Sequence, residues 1–131
     1  MGVAMLTLPE PLPEIAGAVC EAVFVQAYYY RGKLVSAANA LFLQLRDRGW
    51  QRIFIDAGIV FWQCVDGLDS PDQDRHHYTL TDLGSRHGLA GKRVQGVRTA
   101  DLPSGGELQV SFEGAPRLTY RSAGGVSQII V

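Results

Sequence analysis

The stretch "LQVSFEGAPRLTY", residues 108–120, decides the fold class of this chain. Apolar and polar residues alternate from Leu108 to Phe112, the letters EGAP follow, and the alternation resumes from Leu118 to Tyr120. A period of two on either side of a short turn is the pattern of a β-hairpin with one buried face. The stretch therefore predicts an antiparallel pair of strands.

The chain contains a second copy of this pattern. "LQLRDRGWQRIFI", residues 43–55, aligns with 108–120 without a gap, and "IAGAVCEAV", residues 15–23, is nearly restated as "LAGKRVQGV" at 89–97. Repeated stretches of this kind usually share one supersecondary structure. We therefore expect each copy to begin with a strand and to continue as a hairpin, with the shared glycines in turns or bulges.

Length and composition predict one domain over residues 1–131. The chain is 47% hydrophobic and 19% charged, which is the range of a globular protein with a real core. Its two similar halves lie at about 14–65 and 88–131. An acidic connector at 66–77, with four aspartates against one arginine, joins them.

Two segments of the first half leave the fold class open between two forms. Residues 14–30 and 37–48 also fit helices, the second with Ser36 as its N-cap and Gly49 just past its end. The parallel with the second copy, and the run of three tyrosines at 28–30, favour strands. We predict an all-β sandwich or barrel built from two strand-and-hairpin units. The alternative is an α+β fold with N-terminal helices and a C-terminal antiparallel sheet.

Charge and hydropathy argue against nucleic acid and membranes as partners. The formal net charge is −1, and no run of Lys and Arg forms a basic face. No apolar run reaches the roughly 18 residues of a membrane span, and residues 1–14 lack the basic start and apolar core of a signal peptide. We expect a soluble, cytoplasmic protein in which Cys20 and Cys64 are buried free thiols.

Sequence signatures of catalysis are absent: the chain has no GxSxG, GxxxxGK[ST], GxGxxG or HExxH. We therefore expect a protein that is not an enzyme and needs no cofactor. Asp56 is the one catalytic candidate, because burial within the apolar run "RIFIDAGIVFW" would raise its pKa and suit it to acid–base chemistry. The alternative is that Asp56 starts a turn with Ala57 and Gly58.

The acidic connector supplies the only candidate metal ligands. Asp72, Asp74, His76 and His77 combine carboxylates with imidazoles, which divalent cations accept as ligands. Neighbouring histidines on an extended chain point in opposite directions, however, and the landmarks of a calcium-binding loop are missing. A solvated loop is the alternative interpretation.

Aromatic residues supply the candidate binding surface. Tyr28, Tyr30 and Trp62 could line a face that contacts a ligand or a partner, since Tyr and Trp suit surfaces with one apolar and one wet side. The alternative is that these aromatic residues belong to the core and its rim. Our leading hypothesis is a non-enzymatic β-domain that binds another protein or itself, for example as a homodimer. The alternative is a β-barrel or sandwich that binds a small molecule and, if it is an enzyme, uses Asp56 as its catalytic residue.

Overall fold

The computed structural model describes residues 4–7, by their backbone, together with residues 12–68 and 72–131. Most of the N-terminal stretch, and Asp69 of the connector, therefore lie outside the described residues. The described ranges form ten strands and one short helix: β1 (Ala4–Thr7), β2 (Val19–Tyr30), β3 (Lys33–Leu45), β4 (Gly49–Asp56), β5 (Ile59–Val65), β6 (His76–Asp82), α1 (Leu83–Arg86), β7 (Lys92–Leu102), β8 (Gly105–Phe112), β9 (Leu118–Ala123) and β10 (Val126–Ile130). The all-β prediction is confirmed.

The alternative with N-terminal helices is wrong. The segments 14–30 and 37–48 supply β2 and β3, which pair with each other as an antiparallel hairpin. Their helix-like spacing arises because β3 carries apolar residues on both faces, which erases the period of two. Within the described ranges no helix is long and apolar enough to cross a membrane, and α1 has four residues.

All strand pairs are antiparallel, and the strand order is β1-β5-β4-β3-β2-β7-β8-β9-β10, with β6 also paired to β2. Strand β2 joins the two parts of this order. Its first residues, Val19 and Cys20, pair with β7, whereas the rest of its outer edge pairs with β6. The strands therefore form two layers: β1 to β6 make the first layer, and β7 to β10 make the second.

The two layers pack face to face as a sandwich around one hydrophobic core. Both layers contribute fully buried side chains to it, among them Trp62, Tyr120, Leu41, Leu43, Ile53, Leu108 and Leu118. The Tyr120 hydroxyl of β9 crosses to the first layer and donates a hydrogen bond of 2.8 Å to the Ala38 carbonyl. A buried phenol needs such a partner, so this bond also fixes how the layers meet.

Equivalent turns lead into β2 and β7 at the point where these strands meet. Gly17 and Gly91, which share one position of the repeated phrase, have φ values of +91° and +83°, a region that favours glycine. The Gly17 N–H donates to Val94 O at 2.8 Å, and the Gly91 N–H donates to Cys20 O at 2.7 Å. Each turn thus binds the strand that the other turn begins.

The two repeated hairpins have different registers. Leu43 pairs with Gln51 in the first, whereas Leu108, its counterpart in the alignment, pairs with Tyr120 in the second. The second hairpin has a longer loop because Pro116 stands where Gln51 stands in the first, and proline has no N–H to donate to a ladder. The boundaries of the two halves stay a prediction.

The cysteines differ in their surroundings. Both are free, but Cys20 is buried and Cys64 is exposed on β5, so the expected burial is wrong for Cys64. By the alternation of β5, Cys64 points to the same side as Trp62, and its Sγ lies 3.7 Å from Gln51 Oε1 at the edge of the core. Burial raises the pKa of the Cys20 thiol to about 12, which keeps that thiol protonated.

Candidate functional site

A cleft of about 660 Å³ lies on the outer face of the first layer, the face turned away from the core. Strands β2 to β5 form its base, and residues 65–68, which continue from the end of β5, form a wall. Tyr78 of β6 lies at its side. The cleft is lined by Gln26, Asn39, Phe42, Arg52, Gln63, Val65, Asp66, Gly67, Leu68 and Tyr78.

Strand register places three of these side chains in one row. Phe42 of β3 pairs with Arg52 of β4, and Arg52 pairs in turn with Gln63 of β5. Residues directly opposite each other in antiparallel strands point to the same face of a sheet. The neighbours of Phe42 along the chain, Leu41 and Leu43, point the other way into the core.

The floor of the cleft is closed, and both polar and apolar side chains form its walls. Phe42 has no exposed surface, and Gln26 is 3% exposed. Asn39 Nδ2 donates a hydrogen bond of 2.8 Å to Gln26 Oε1, which holds both amides at the base of the cleft. Arg52, Gln63, Asp66 and Tyr78 keep more surface exposed and form the sides.

The guanidinium group of Arg52 is held flat against the sheet. Its central carbon lies 4.7 Å from the centre of the Phe54 ring, and Nη1 donates a hydrogen bond of 3.1 Å to Gln63 Oε1. Phe54 stacks in turn on Phe61, with ring centres 4.9 Å apart. A cation over an aromatic face is attracted by the electrons of the ring. The neighbouring side chains therefore fix the position of the one cation that lines the cleft in the described chain.

Beside the cleft, β2 and β6 bring together an aromatic cluster of Tyr28, Tyr30, His76 and Tyr78. Tyr28 stacks on Tyr78 with ring centres 5.0 Å apart, and its hydroxyl lies 2.5 Å from His76 Nδ1. Desolvation raises the pKa of Tyr28, with smaller contributions from Tyr78 and Tyr30. The predicted residues Tyr28 and Tyr30 thus share one face, and Tyr30 is 37% exposed.

Trp62 does not belong to that face, so its assignment to a binding surface is wrong. It is 1% exposed and lies in the core, where its Nε1–H donates a hydrogen bond of 2.8 Å to Gln51 Oε1. The alternation of β5 explains this position: Phe61 and Gln63 point outward, so Trp62 must point inward.

Asp56 is not buried, and the condition for the acid–base role is therefore not met. It is exposed at the end of β4, where it pairs with Ile59 across the turn made by Ala57 and Gly58. Those two turn residues have φ values of +52° and +78°. This is the turn that the alternative interpretation expected, and Asp56 does not line the cleft.

The predicted metal ligands are engaged in separate contacts. Asp72 Oδ2 lies 2.8 Å from His77 Nδ1, and its other oxygen accepts from the Tyr78 N–H at 3.1 Å. These contacts lower the pKa of Asp72, the backbone N–H having the largest effect. His76 lies on the face of β6 opposite to His77, where it contacts Tyr28. Asp74 Oδ2 lies 3.7 Å from Nε of its neighbour Arg75. The described residues contain no group of three or more ligands suited to a metal ion.

The sequence analysis missed the side chains that line the cleft, although a signal for them exists. Gln26, Asn39 and Gln63 each interrupt an otherwise apolar run, as in "VFVQAYYY" and "FWQCV". A polar residue at a covered strand position needs partners, so such positions point to a polar site. No protein-family model, curated protein or solved structure matches this chain, and the site is therefore interpreted from its own geometry.

Proposed function

We propose that this protein is a ligand-binding β-sandwich domain that holds a small polar molecule in the cleft on its first layer. The observation that carries the proposal is the convergence of three amides and one guanidinium, from four strands, on a single cleft of about 660 Å³. Clefts of roughly 300–1,000 Å³ with a few fixed polar groups are typical of small-molecule sites. Binding rather than catalysis is proposed because Asp56, the catalytic candidate, lies outside the cleft.

Preorganisation of the polar groups supports this function. Asn39 is held by Gln26, and Arg52 is held by both Gln63 and the Phe54 ring. Side chains that are already held in place lose little conformational entropy when a ligand binds, so less of the binding free energy is spent on ordering them. The contacts between the side chains thus favour binding at this face.

The test is a screen of a library of small polar metabolites by NMR on ¹⁵N-labelled protein. We expect at least one compound to shift the side-chain amide signals of Asn39 and Gln63, and Gln63→Ala to weaken its binding. Gln128→Ala is the matched control, because Gln128 also points outward from a strand but lies on the second layer. A library that shifts no cleft signal, or binding that survives Gln63→Ala unchanged, would refute the proposal.

A second candidate function is association with another protein or with a second copy of the chain. Strand β10 ends the strand order, so one of its edges pairs with no other described strand. It exposes Val126 and Ile130, at 63% and 46%. An open edge with apolar side chains is a template for adding a strand.

Light scattering after size-exclusion chromatography tests this second function. The wild type should be a dimer and Val126→Lys a monomer, while Thr99→Lys, an exposed threonine of the second layer, should change nothing. A second variant, Tyr30→Ser, tests whether the aromatic cluster takes part. If the wild type is a monomer, the proposal that the chain associates with itself is wrong.

We further propose that the protein works in the cytoplasm. Cys20 and Cys64 are both free, and reducing compartments are where cysteines stay unpaired. Fractionation of the native cell with an antibody against the protein tests this; recovery from an extracellular fraction would contradict it.

A further inference from the structure

The walls of the cleft offer hydrogen-bond donors and acceptors in mixed order. A side-chain amide has two N–H groups and an oxygen with two lone pairs, so Asn39 and Gln63 keep capacity beyond the bonds they make with Gln26 and Arg52. The Tyr78 hydroxyl can both donate and accept. A ligand that satisfies such a lining must itself donate and accept at several points.

The charge of the lining favours a neutral ligand. Arg52 is the cation and Asp66 the anion among the lining residues that the structure describes. A phosphate or a polycarboxylate drawn to the guanidinium would meet the carboxylate of Asp66 in the same cleft. An apolar ligand would remove water from the amides without replacing its hydrogen bonds. Hydroxyl groups suit both the guanidinium and the carboxylate.

Tyr78 adds an aromatic side to this polar lining. One face of its ring stacks on Tyr28, at 5.0 Å between centres, and the residue also borders the cleft. A sugar ring presents hydroxyl groups at its rim and a patch of C–H groups on its face. The C–H patch packs against an aromatic side chain while the rim reaches amides and charged groups.

We propose that the ligand of the cleft is a saccharide, a neutral polyhydroxylated molecule bound by Asn39, Arg52, Gln63, Asp66 and Tyr78. This inference rests on the proposed function and names the chemical class that its site takes. The volume of about 660 Å³ leaves room for a short oligosaccharide, a ligand of drug-like size.

The test is an NMR titration of the ¹⁵N-labelled full chain with maltotriose, cellotriose and triacetylchitotriose at millimolar concentrations. At least one of them should give saturable shifts of the Asn39 and Gln63 side-chain signals. Asn39→Ser and Tyr78→Leu should each weaken that binding about tenfold, the effect of losing one hydrogen bond or one packing surface. Gln128→Ala should leave the affinity unchanged. Unchanged signals far from the cleft show that each variant is folded.

Parallel titrations with adenosine monophosphate, citrate and L-tryptophan separate the ligand class from the site. If the saccharides are silent and one of these three shifts the cleft signals, the saccharide class is overturned and the cleft remains a binding site. Saccharide binding that shifts the Gln128 signal and not the cleft signals would overturn the class and the site together. If none of the six compounds shifts the cleft signals, the saccharide class and the binding site are likewise both overturned.

Discussion

Two neighbouring glycines of β8, Gly105 and Gly106, lie so close to other backbone segments that replacing them gives a sharp test of the fold. A Cβ added at Gly106 would lie 2.7 Å from the Gly58 carbonyl oxygen, which belongs to the β4–β5 turn of the other layer. This is 0.7 Å short of the 3.4 Å at which ordinary van der Waals contact begins. Gly106→Ala therefore forces a rigid turn away from the strand beneath it.

The expected loss of stability follows from this overlap. Overpacking of a well-packed contact costs about 1–3 kcal/mol, and the reduced entropy of the unfolded chain returns about 0.4–1 kcal/mol when alanine replaces glycine. We expect Gly106→Ala to lower the free energy of unfolding by about 1–2 kcal/mol. For a chain of this size that is a fall in Tm of roughly 3–8 °C.

Two further variants should lose more and less stability than Gly106→Ala. At Gly105 the added Cβ would overlap the Ser122 backbone, and the Ala123 Cα would lie at 2.7 Å. Gly105→Ala should therefore lose more than about 3 kcal/mol, because the β8–β9 ladder must open. Gly96 in β7 is the control: a Cβ there meets nothing within 4 Å, and its φ is not positive. Gly96→Ala should be unchanged or slightly more stable.

Urea unfolding followed by tryptophan fluorescence measures the three variants, since Trp62 lies in the core between the layers. From most to least stable, we expect the order Gly96→Ala, Gly106→Ala, Gly105→Ala. A Gly106→Ala protein as stable as Gly96→Ala would refute the close contact between the layers.

Three more predictions concern single side chains. Tyr120→Phe removes the hydroxyl that donates to the Ala38 carbonyl, so urea unfolding should show a loss of about 1–2 kcal/mol. Asp82 caps α1 by accepting a hydrogen bond from the Ser85 N–H at 3.0 Å. Asp82→Ala should lower the free energy of unfolding, measured by thermal denaturation, by about 0.5–2 kcal/mol, whereas Asp82→Asn should keep most of the stability. Hydrogen bonds from Arg121 hold the pKa of Glu107 below its ordinary value of 4.5. A carboxylate whose pKa is lowered by folding contributes stability above its ordinary pKa, and this contribution is lost as the pH falls through the lower pKa of the folded state. Wild type should therefore lose more stability on acidification than Glu107→Gln, and equal losses would contradict this.

Period-two alternation predicted the fold wherever one face of a strand meets solvent. The β8–β9 hairpin is of this kind, since Leu108 and Val110 are buried and Gln109 between them is only partly covered. Strand β3 resembled a helix because Leu41, Phe42 and Leu43 are all buried, one face by the core and the other beneath the cleft. A segment covered on both sides has no period for a pattern to detect.

The cleft could not be assembled from the sequence for a different reason. Asn39, Arg52 and Gln63 come from three strands, and only the register of those strands brings them together. A shift of one residue in any ladder would turn a polar side chain into the core. Two candidates raised from the sequence, Asp56 and Trp62, stood out by local composition, and local composition does not report which face a residue occupies.

The difference between the two layers is itself an argument for where the function lies. Strands β2 to β5 and strands β7 to β10 each form a four-stranded antiparallel meander, and the inner faces of both build the core. The outer face of the second layer carries Glu107, which is 7% exposed and paired at 2.8 Å with Arg121, together with the exposed side chains of Val126 and Ile130. The outer face of the first layer instead carries Phe54 stacked on Phe61, with Arg52 held above it. The two outer faces thus differ in their chemistry, and the aromatic and amide side chains of the first layer support the proposal that this face binds a ligand.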